Sequence, residues 1–354
     1  MTSTPFSVLD RSRTRRGHAE GEALRDTVAF AQLAEELGYH RFWVSEHHSV
    51  PGVAGSAPTV LAAAVAAATE RIRVGTGGVM LPNHQPLVVA EQFGVLAALY
   101  PDRIDMGLGR SVGFTNGVRR ALGRDKDAAA AFGAQLTELL GYFTGRQRAH
   151  PQVHARPAEG LRVPAFVLAT GAGADVAAEA GLPLVIAAVV GEERMLAAVE
   201  RYRAAFRPSA QAERPHVVVA GTVAVAETTE RARRLLVPEA WSLAYSRTHG
   251  VFPPLEPAEE TEARSMTERE RERFEEAMLG HVHGTEDEVA TALEGLITRT
   301  DADEVLVTTS SYDREGMLDS YRRLARLAHL PDARERPTSA TPGPHGPLPL
   351  AAAR

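Results

Sequence analysis

Apolar and polar positions along the 354-residue chain alternate between two periods. Short runs such as "FSVL" (6–9), "RFWVS" (41–45) and "PAFVLA" (164–169) are nearly continuous in apolar or β-branched residues. Runs of this kind read as buried strands. Between them lie longer stretches with apolar residues every three or four positions. "AEGEALRDTVAFAQLAEELG" places Leu24, Val28, Ala31 and Leu37 on one face and stops at Gly38, as helices commonly do. "APTVLAAAVAAAT" carries Pro58 near its start, where a helix has no N–H to lose. The same exchange continues through "IRVGTGGVM", "RIDMGLG", "LPLVIAAV", "HVVVAGTVAVA" and "DEVLVTT", each followed by an amphipathic segment. Strands are expected to start near Phe6, Arg41, Ile72, Ile104, Ala165, Pro183, His216 and Glu304. Eight strand–helix steps predict an α/β fold closed as a (β/α)8 TIM barrel, in preference to an open doubly wound sheet.

Two segments break the pattern. Residues 246–283 hold prolines at 253, 254 and 257 and then the charge-dense "RSMTERERERFEEAMLG". Prolines fix φ and remove donors, so a loop followed by a helix is expected, forming a lid inserted before the last strand–helix unit. The barrel domain is assigned to 1–330. The tail 331–354 is rich in Pro, Gly and polar residues and is expected to be disordered.

Composition narrows the function. Hydrophobic residues are 44% and charged residues 24%, with a net charge of -6, so the sequence gives no basic footprint for nucleic acid. The absence of cysteine excludes disulfides, thiolate metal sites and a cysteine nucleophile. No signal peptide and no apolar run of membrane-spanning length are evident, and a cytoplasmic location is expected.

In such a barrel a ligand binds at the C-terminal ends of the strands. Those ends gather Asp10, then Glu46-His47-His48, then Gly77-Gly78, then "GLGRSVG" (107–113) and "ATGAGA" (169–174). Three roles are open for Glu46-His47-His48: a metal site, proton handling, or a surface accident. Adjacent histidines on extended backbone point to opposite sides, and the spacing lacks the i, i+4 pattern of a helical zinc pair. His84 could join only from the next loop, so no metal is expected. Arg110 is a handle for phosphate. The glycines of "ATGAGA" leave backbone N–H groups accessible where a helix begins. Either loop alone would pass for a tight turn; together on neighbouring strands they favour a phosphorylated ligand.

"RFWVSEHH", "RIRVGTGGVMLPNH" and "PDRIDMGLGR" in combination closely resemble the bacterial luciferase-like, flavin-dependent monooxygenases. The resemblance is strongest over 33–110 and returns at 165–187 and 283–309. It implies a barrel that takes reduced FMN (FMNH2) and O2 and oxygenates a hydrophobic organic substrate through a flavin C4a-peroxide. A separate NAD(P)H:flavin reductase would supply the FMNH2, and a homodimer is possible. Breadth of the family suggests natural-product biosynthesis. By the same resemblance His47 is the proton-handling group, with Glu46 and His48 beside it. Gly77–Gly78 matches a cis peptide under the flavin ring. Arg110 matches a phosphate-binding arginine, with Ala169, Thr170, Gly171, Ala172 and Gly173 forming the rest of the cradle. Relatives often carry a second hydroxyl where this chain has Ala172, Gly173 and Ala174, and Gly109 stands where luciferase has a cysteine. The alternatives are an F420-dependent oxidoreductase on the same fold and a flavin-binding protein without turnover.

Overall fold

A computed structural model describes residues 4–189 and 191–330; the tail expected to be disordered lies outside them. Eight parallel strands form the barrel: β1 (Phe6–Asp10), β2 (Arg41–Val44), β3 (Arg73–Thr76), β4 (Ile104–Gly109), β5 (Ala165–Ala169), β6 (Leu184–Ala187), β7 (Val217–Gly221) and β8 (Glu304–Val307). Neighbours run in the order β3-β2-β1-β8-β7-β6-β5-β4. Pairing of Val74 with Ile104 and of Gly75 with Asp105 joins β3 to β4 and closes the ring. Every expected strand is present, each starting within one residue of the expected position.

Alternation along each strand sorts side chains into two layers. Phe42 and Val44 pack outward with the helices. Trp43 points inward and shares the barrel interior with Phe166, Val185, Val218 and Leu306. A small closed interior of this kind is a packed core rather than a channel.

The floor of that interior is ionic. Arg41 donates from Nε and Nη2 to the two oxygens of Glu304, at 2.8 and 3.0 Å, and from Nη1 to Asp105 at 2.8 Å. Asp105 also receives Trp43 Nε1 at 3.2 Å and Arg73 at 2.6 Å. Ser7 donates to Glu304. The Arg41 guanidinium lies 4.9 Å from the centroid of the Phe166 ring. Five strands, β1 to β4 and β8, are tied by this one network.

Three elements differ from expectation. "IRVGTGGVM" is not one strand: it ends at Thr76, and Val79–Met80 forms a separate short strand paired with the end of β4. "HVVVAGTVAVA" likewise divides. Val217–Gly221 stays in the barrel, while Val223–Val225 leaves it to pair with Val282–Gly284. The helix after β7 runs through Pro238 to His249, so the expected lid boundary at Ser246 falls inside a helix. Its buried face (Leu235, Leu236, Ala240, Trp241, Ala244) supplies packing that outweighs the hydrogen bond Pro238 removes. The rest of the insertion is a loop and two helices, Ala258–Glu262 and Glu268–Met278.

Arg41→Ala should destabilise the fold by about 3–5 kcal/mol, because Glu304 would be left buried without its guanidinium partner. Burial raises the Glu304 pKa, but Arg41, with smaller contributions from His216, His40 and Ser7, overcomes this and holds it at about 2. Its folded value lies below the unfolded one, so its stabilisation is full above about pH 4.5 and is lost as pH falls toward 2. Chemical denaturation from pH 6 to 3 should show a shallower acid slope for Glu304→Gln than for wild type. An unchanged slope would remove Glu304 from this account.

Candidate active site

The C-terminal ends of the strands bring most of the expected residues together. Past Val44 the chain leaves regular strand structure. His47 Nδ1 lies 3.1 Å from Ser45 Oγ, and His48 Nε2 lies 2.7 Å from Glu46 Oε1. Ser45 and His47 thus form one contact pair and Glu46 and His48 another, and Nε2 of His47 is free of Ser45.

Glu46 is fully buried and accepts four contacts. His84 Nε2 reaches both carboxylate oxygens at 2.9 and 3.0 Å, His48 Nε2 reaches one, and the Met80 backbone N–H donates at 2.9 Å. Burial works against its charge, yet the bonds from His48 and His84 and the backbone N–H hold its pKa at about 2. An ionised carboxylate only accepts, so both imidazoles present Nε2–H to it. The ligand atoms of Glu46, His48 and His84 lie within 4.8 Å of one another, a grouping that adjacent-residue spacing did not predict. Each histidine contacts the carboxylate at hydrogen-bond length.

His47 behaves differently. Burial, followed by the fields of Arg11 and Arg13, lowers its pKa to about 4. It is therefore a neutral imidazole near pH 7.

The Gly77–Gly78 peptide is cis. A Cβ at Gly77 would come within 2.5 Å of Leu9 Cδ1, and one at Gly78 within 2.8 Å of the Gly107 carbonyl. At Gly78 the obstacle is backbone and only glycine fits, whereas at Gly77 the Leu9 side chain would have to shift.

Two strands further round, Gly109 pairs with Leu168, which sets Arg110 beside the loop Ala169–Gly173. A Cβ built on Gly173 would lie 4.0 Å from Arg110 Cδ. Among the described residues the Arg110 guanidinium has no hydrogen-bond or ion-pair partner. The helix Gly173–Ala180 starts at Ala172 without a side-chain cap, and Thr170 is exposed. A free guanidinium, uncapped N–H groups and a free hydroxyl fit a phosphate.

The roof comes from the insertion. Gly52 N–H donates to the Phe252 carbonyl, Arg16 N–H to the Leu255 carbonyl, and Leu255 N–H to the Thr14 carbonyl, each at 2.8 Å. Phe252 meets Phe114 of the loop after β4 edge-on, with ring centroids 5.4 Å apart. Sequence reading missed Arg11 and Arg13. The run "RSRTRR" directly after β1 was their signal, since it sits at a strand's C-terminal end.

A (β/α)8 barrel with its polar residues at this mouth defines an enzyme-type scaffold. The family model described as luciferase-like monooxygenase matches residues 4–303. The chain belongs to that family. A luciferase-like monooxygenase of Escherichia coli strain K12 is 34% identical over 323 residues, covering 89% of this chain and 94% of that protein. The N-acetyl-S-alkylcysteine monooxygenase of Bacillus subtilis is 38% identical over 245 residues, 66% of this chain and 71% of that one. The crystal structure of apo-MsnO8 aligns with a TM-score of 0.84 at 31% identity, covering 93% of this chain and 99% of that chain. Two distant structures share the fold alone. One is the FMN complex of the oxygenating constituent of 3,6-diketocamphane monooxygenase, with 17% identity, a TM-score of 0.67, and coverage of 94% of this chain and 98% of that chain. The other is an F420-dependent secondary alcohol dehydrogenase, with 16% identity, a TM-score of 0.64, and coverage of 92% and 99%. Among the described residues no helix is long and apolar enough to cross a membrane.

The neutral state of His47 is directly measurable. Its imidazole resonances should stay flat from pH 8 to 5.5, with a midpoint near 4. Arg13→Gln should move that midpoint upward. A wild-type midpoint above 6 would contradict the site's electrostatics.

Proposed function

We propose that this chain is the oxygenase of a two-component monooxygenase that uses FMNH2 and O2 on an organic substrate. The observation that carries the reading is the unpartnered Arg110 guanidinium set against the uncapped start of the helix Gly173–Ala180. That cradle lies two strands from the neutral His47. Arg110, Thr170 and the backbone amides of 171–173 would hold the FMN phosphate. Gly77 and Gly78, lacking side chains, would let the flavin ring approach the strand end. Reduced FMN, when bound, supplies the electrons that activate O2. His47, neutral and fixed through Nδ1 by Ser45, would hold or pass a proton at Nε2. Glu46 would orient His48 and His84 from behind. Phe114 and Phe252 would keep water from the mouth and meet the apolar part of the substrate. An NAD(P)H:flavin reductase would deliver FMNH2. A second copy would cover Val60, Val88, Val95 and Leu99, which stand 45–70% exposed on the helices Pro58–Ala68 and Pro86–Leu99.

Anaerobic titration with FMNH2, beside reduced F420, tests the cofactor. FMNH2 should bind, and Arg110→Ala should cost about 1.5–3 kcal/mol, roughly ten- to a hundredfold in Kd. Tighter binding of F420 would overturn the assignment in favour of the dehydrogenase reading.

His47→Ala should bind flavin nearly as wild type but form oxygenated product about 10²- to 10⁴-fold more slowly. Stopped-flow oxidation with product analysis makes the comparison, with His48→Ala as the milder variant. A normal His47→Ala and a crippled His48→Ala would reverse the roles assigned to the two imidazoles.

A further inference from the structure

We infer that Arg11 and Arg13 form a subsite for a carboxylate group on the substrate, so that the molecule oxygenated here is an organic acid with an apolar body. The inference rests on the oxygenase reading above and specifies its substrate class.

Four arginines follow β1 within six residues: Arg11, Arg13, Arg15 and Arg16. Two of them have their own acidic partners. Arg15 lies 3.1 Å from Asp26, and Arg16 reaches both Glu256 and Glu260. Arg11 and Arg13 instead share Glu239. Arg11 Nη2 donates to it at 2.7 Å and to the Thr308 carbonyl at 3.1 Å. Arg13 Nε is 4.0 Å from the same carboxylate, too far for a hydrogen bond, and its Nη2 donates to Ser242 Oγ at 2.5 Å. Among the described residues no other carboxylate makes an ion pair with either. Asp10 next to them is turned to Thr27 and the Ser12 N–H.

Within ion-pair distance two guanidinium groups thus share one carboxylate, and one of the two is deeply set. Arg13 is only 7% exposed. Buried side-chain donors normally find partners, and an unmatched buried charge is costly. Here the Nε atoms of both Arg11 and Arg13, and the Thr308 hydroxyl beside them, are buried without a hydrogen bond. Spare donor capacity on two guanidinium groups that share one carboxylate suits an anion. A carboxylate matches because its two parallel oxygens fit the guanidinium fork.

The location is the reaction mouth. The loop carrying Arg11 and Arg13 is stitched to the loop after His47: Ala54 N–H bonds the Ser12 carbonyl at 3.0 Å, and His47 N–H bonds the Gly55 carbonyl at 2.9 Å. Both guanidinium groups act on His47 strongly enough to lower its pKa. Glu239 and Ser242 belong to the inserted helix Thr229–His249, whose continuation brings in Phe252. An acid held by the arginines would have its apolar body beside the Phe114–Phe252 pair. The subsite is separate from the Arg110 cradle, which lies across the mouth on β4 and β5.

The test uses the full chain, with octanoate and octanamide as matched probes in calorimetric titrations. Octanoate should bind wild type at least tenfold more tightly than octanamide. Arg13→Gln should abolish that preference and Arg11→Gln reduce it, with FMNH2 affinity unchanged in both. Glu239→Gln removes the competing internal carboxylate and should raise octanoate affinity several-fold, a gain that a mere disturbance of the fold would not produce. Equal binding of the two probes by wild type, or a preference that survives Arg13→Gln, overturns the subsite. If Arg13→Gln does not fold, Glu239→Gln decides, and no gain in octanoate affinity overturns it. Flavin titrations on the same samples keep the two readings apart. Flavin binding without a carboxylate preference removes only the subsite. Carboxylate preference without flavin binding removes only the cofactor assignment.

Discussion

Arg41 is the interaction on which the barrel turns. Its guanidinium spans Glu304 on β8 and Asp105 on β4, so it braces the ring from beneath across strands that are not neighbours. Two carboxylates on one arginine, with Arg73 as a second cation on Asp105, leave the charges balanced although little water reaches them. A buried pair of this kind adds little net stability over an apolar equivalent, but losing one member is costly. The network therefore acts mainly as a geometric constraint. It sets the relative height of β2, β4 and β8, and with them the positions of the loops at the opposite end.

That opposite end works by contrast. At the floor each charge has its complement within the chain. At the mouth Glu46 is met by three donors, while Arg13 and Arg110 have fewer acceptors than they could use. Imbalance at one end only is the arrangement expected of a scaffold that stabilises itself below and leaves polar capacity for a ligand above.

Most of the architecture was legible in the sequence because buried parallel strands are continuous apolar runs, and eight of them separated by amphipathic segments leave few alternatives. The EHH turn and the cis Gly77–Gly78 bond were legible through family resemblance, not through periodicity. Less legible were features where one run serves two structures. In "HVVVAGTVAVA" the apolar period is broken only by Gly221-Thr222, a weak signal for the point where the chain leaves the barrel. The helix after β7 continues through Pro238, carried past it by the packing of Trp241 and Ala244. The arginines after β1 were passed over because a charge run usually reads as a solvated face. Only their burial against Glu239 and Ser242 separates them from that reading. The participation of His84 depended on a contact 38 residues away from Glu46, which no local spacing encodes.

The roof over the mouth is fastened chiefly by main-chain groups, from 14, 16 and 52 to 252 and 255. Bonds between peptide units do not depend on side-chain identity. The residues that such a frame presents inward can be exchanged while its attachment stays the same. Divergence toward different molecules can then proceed by replacing side chains on a fixed trellis, without redesigning how the insertion docks. In the strip at 11–16 the main chain carries part of the attachment, while Arg15 and Arg16 are committed to Asp26, Glu256 and Glu260, so Arg11 and Arg13 are the positions where exchange would cost the docking least.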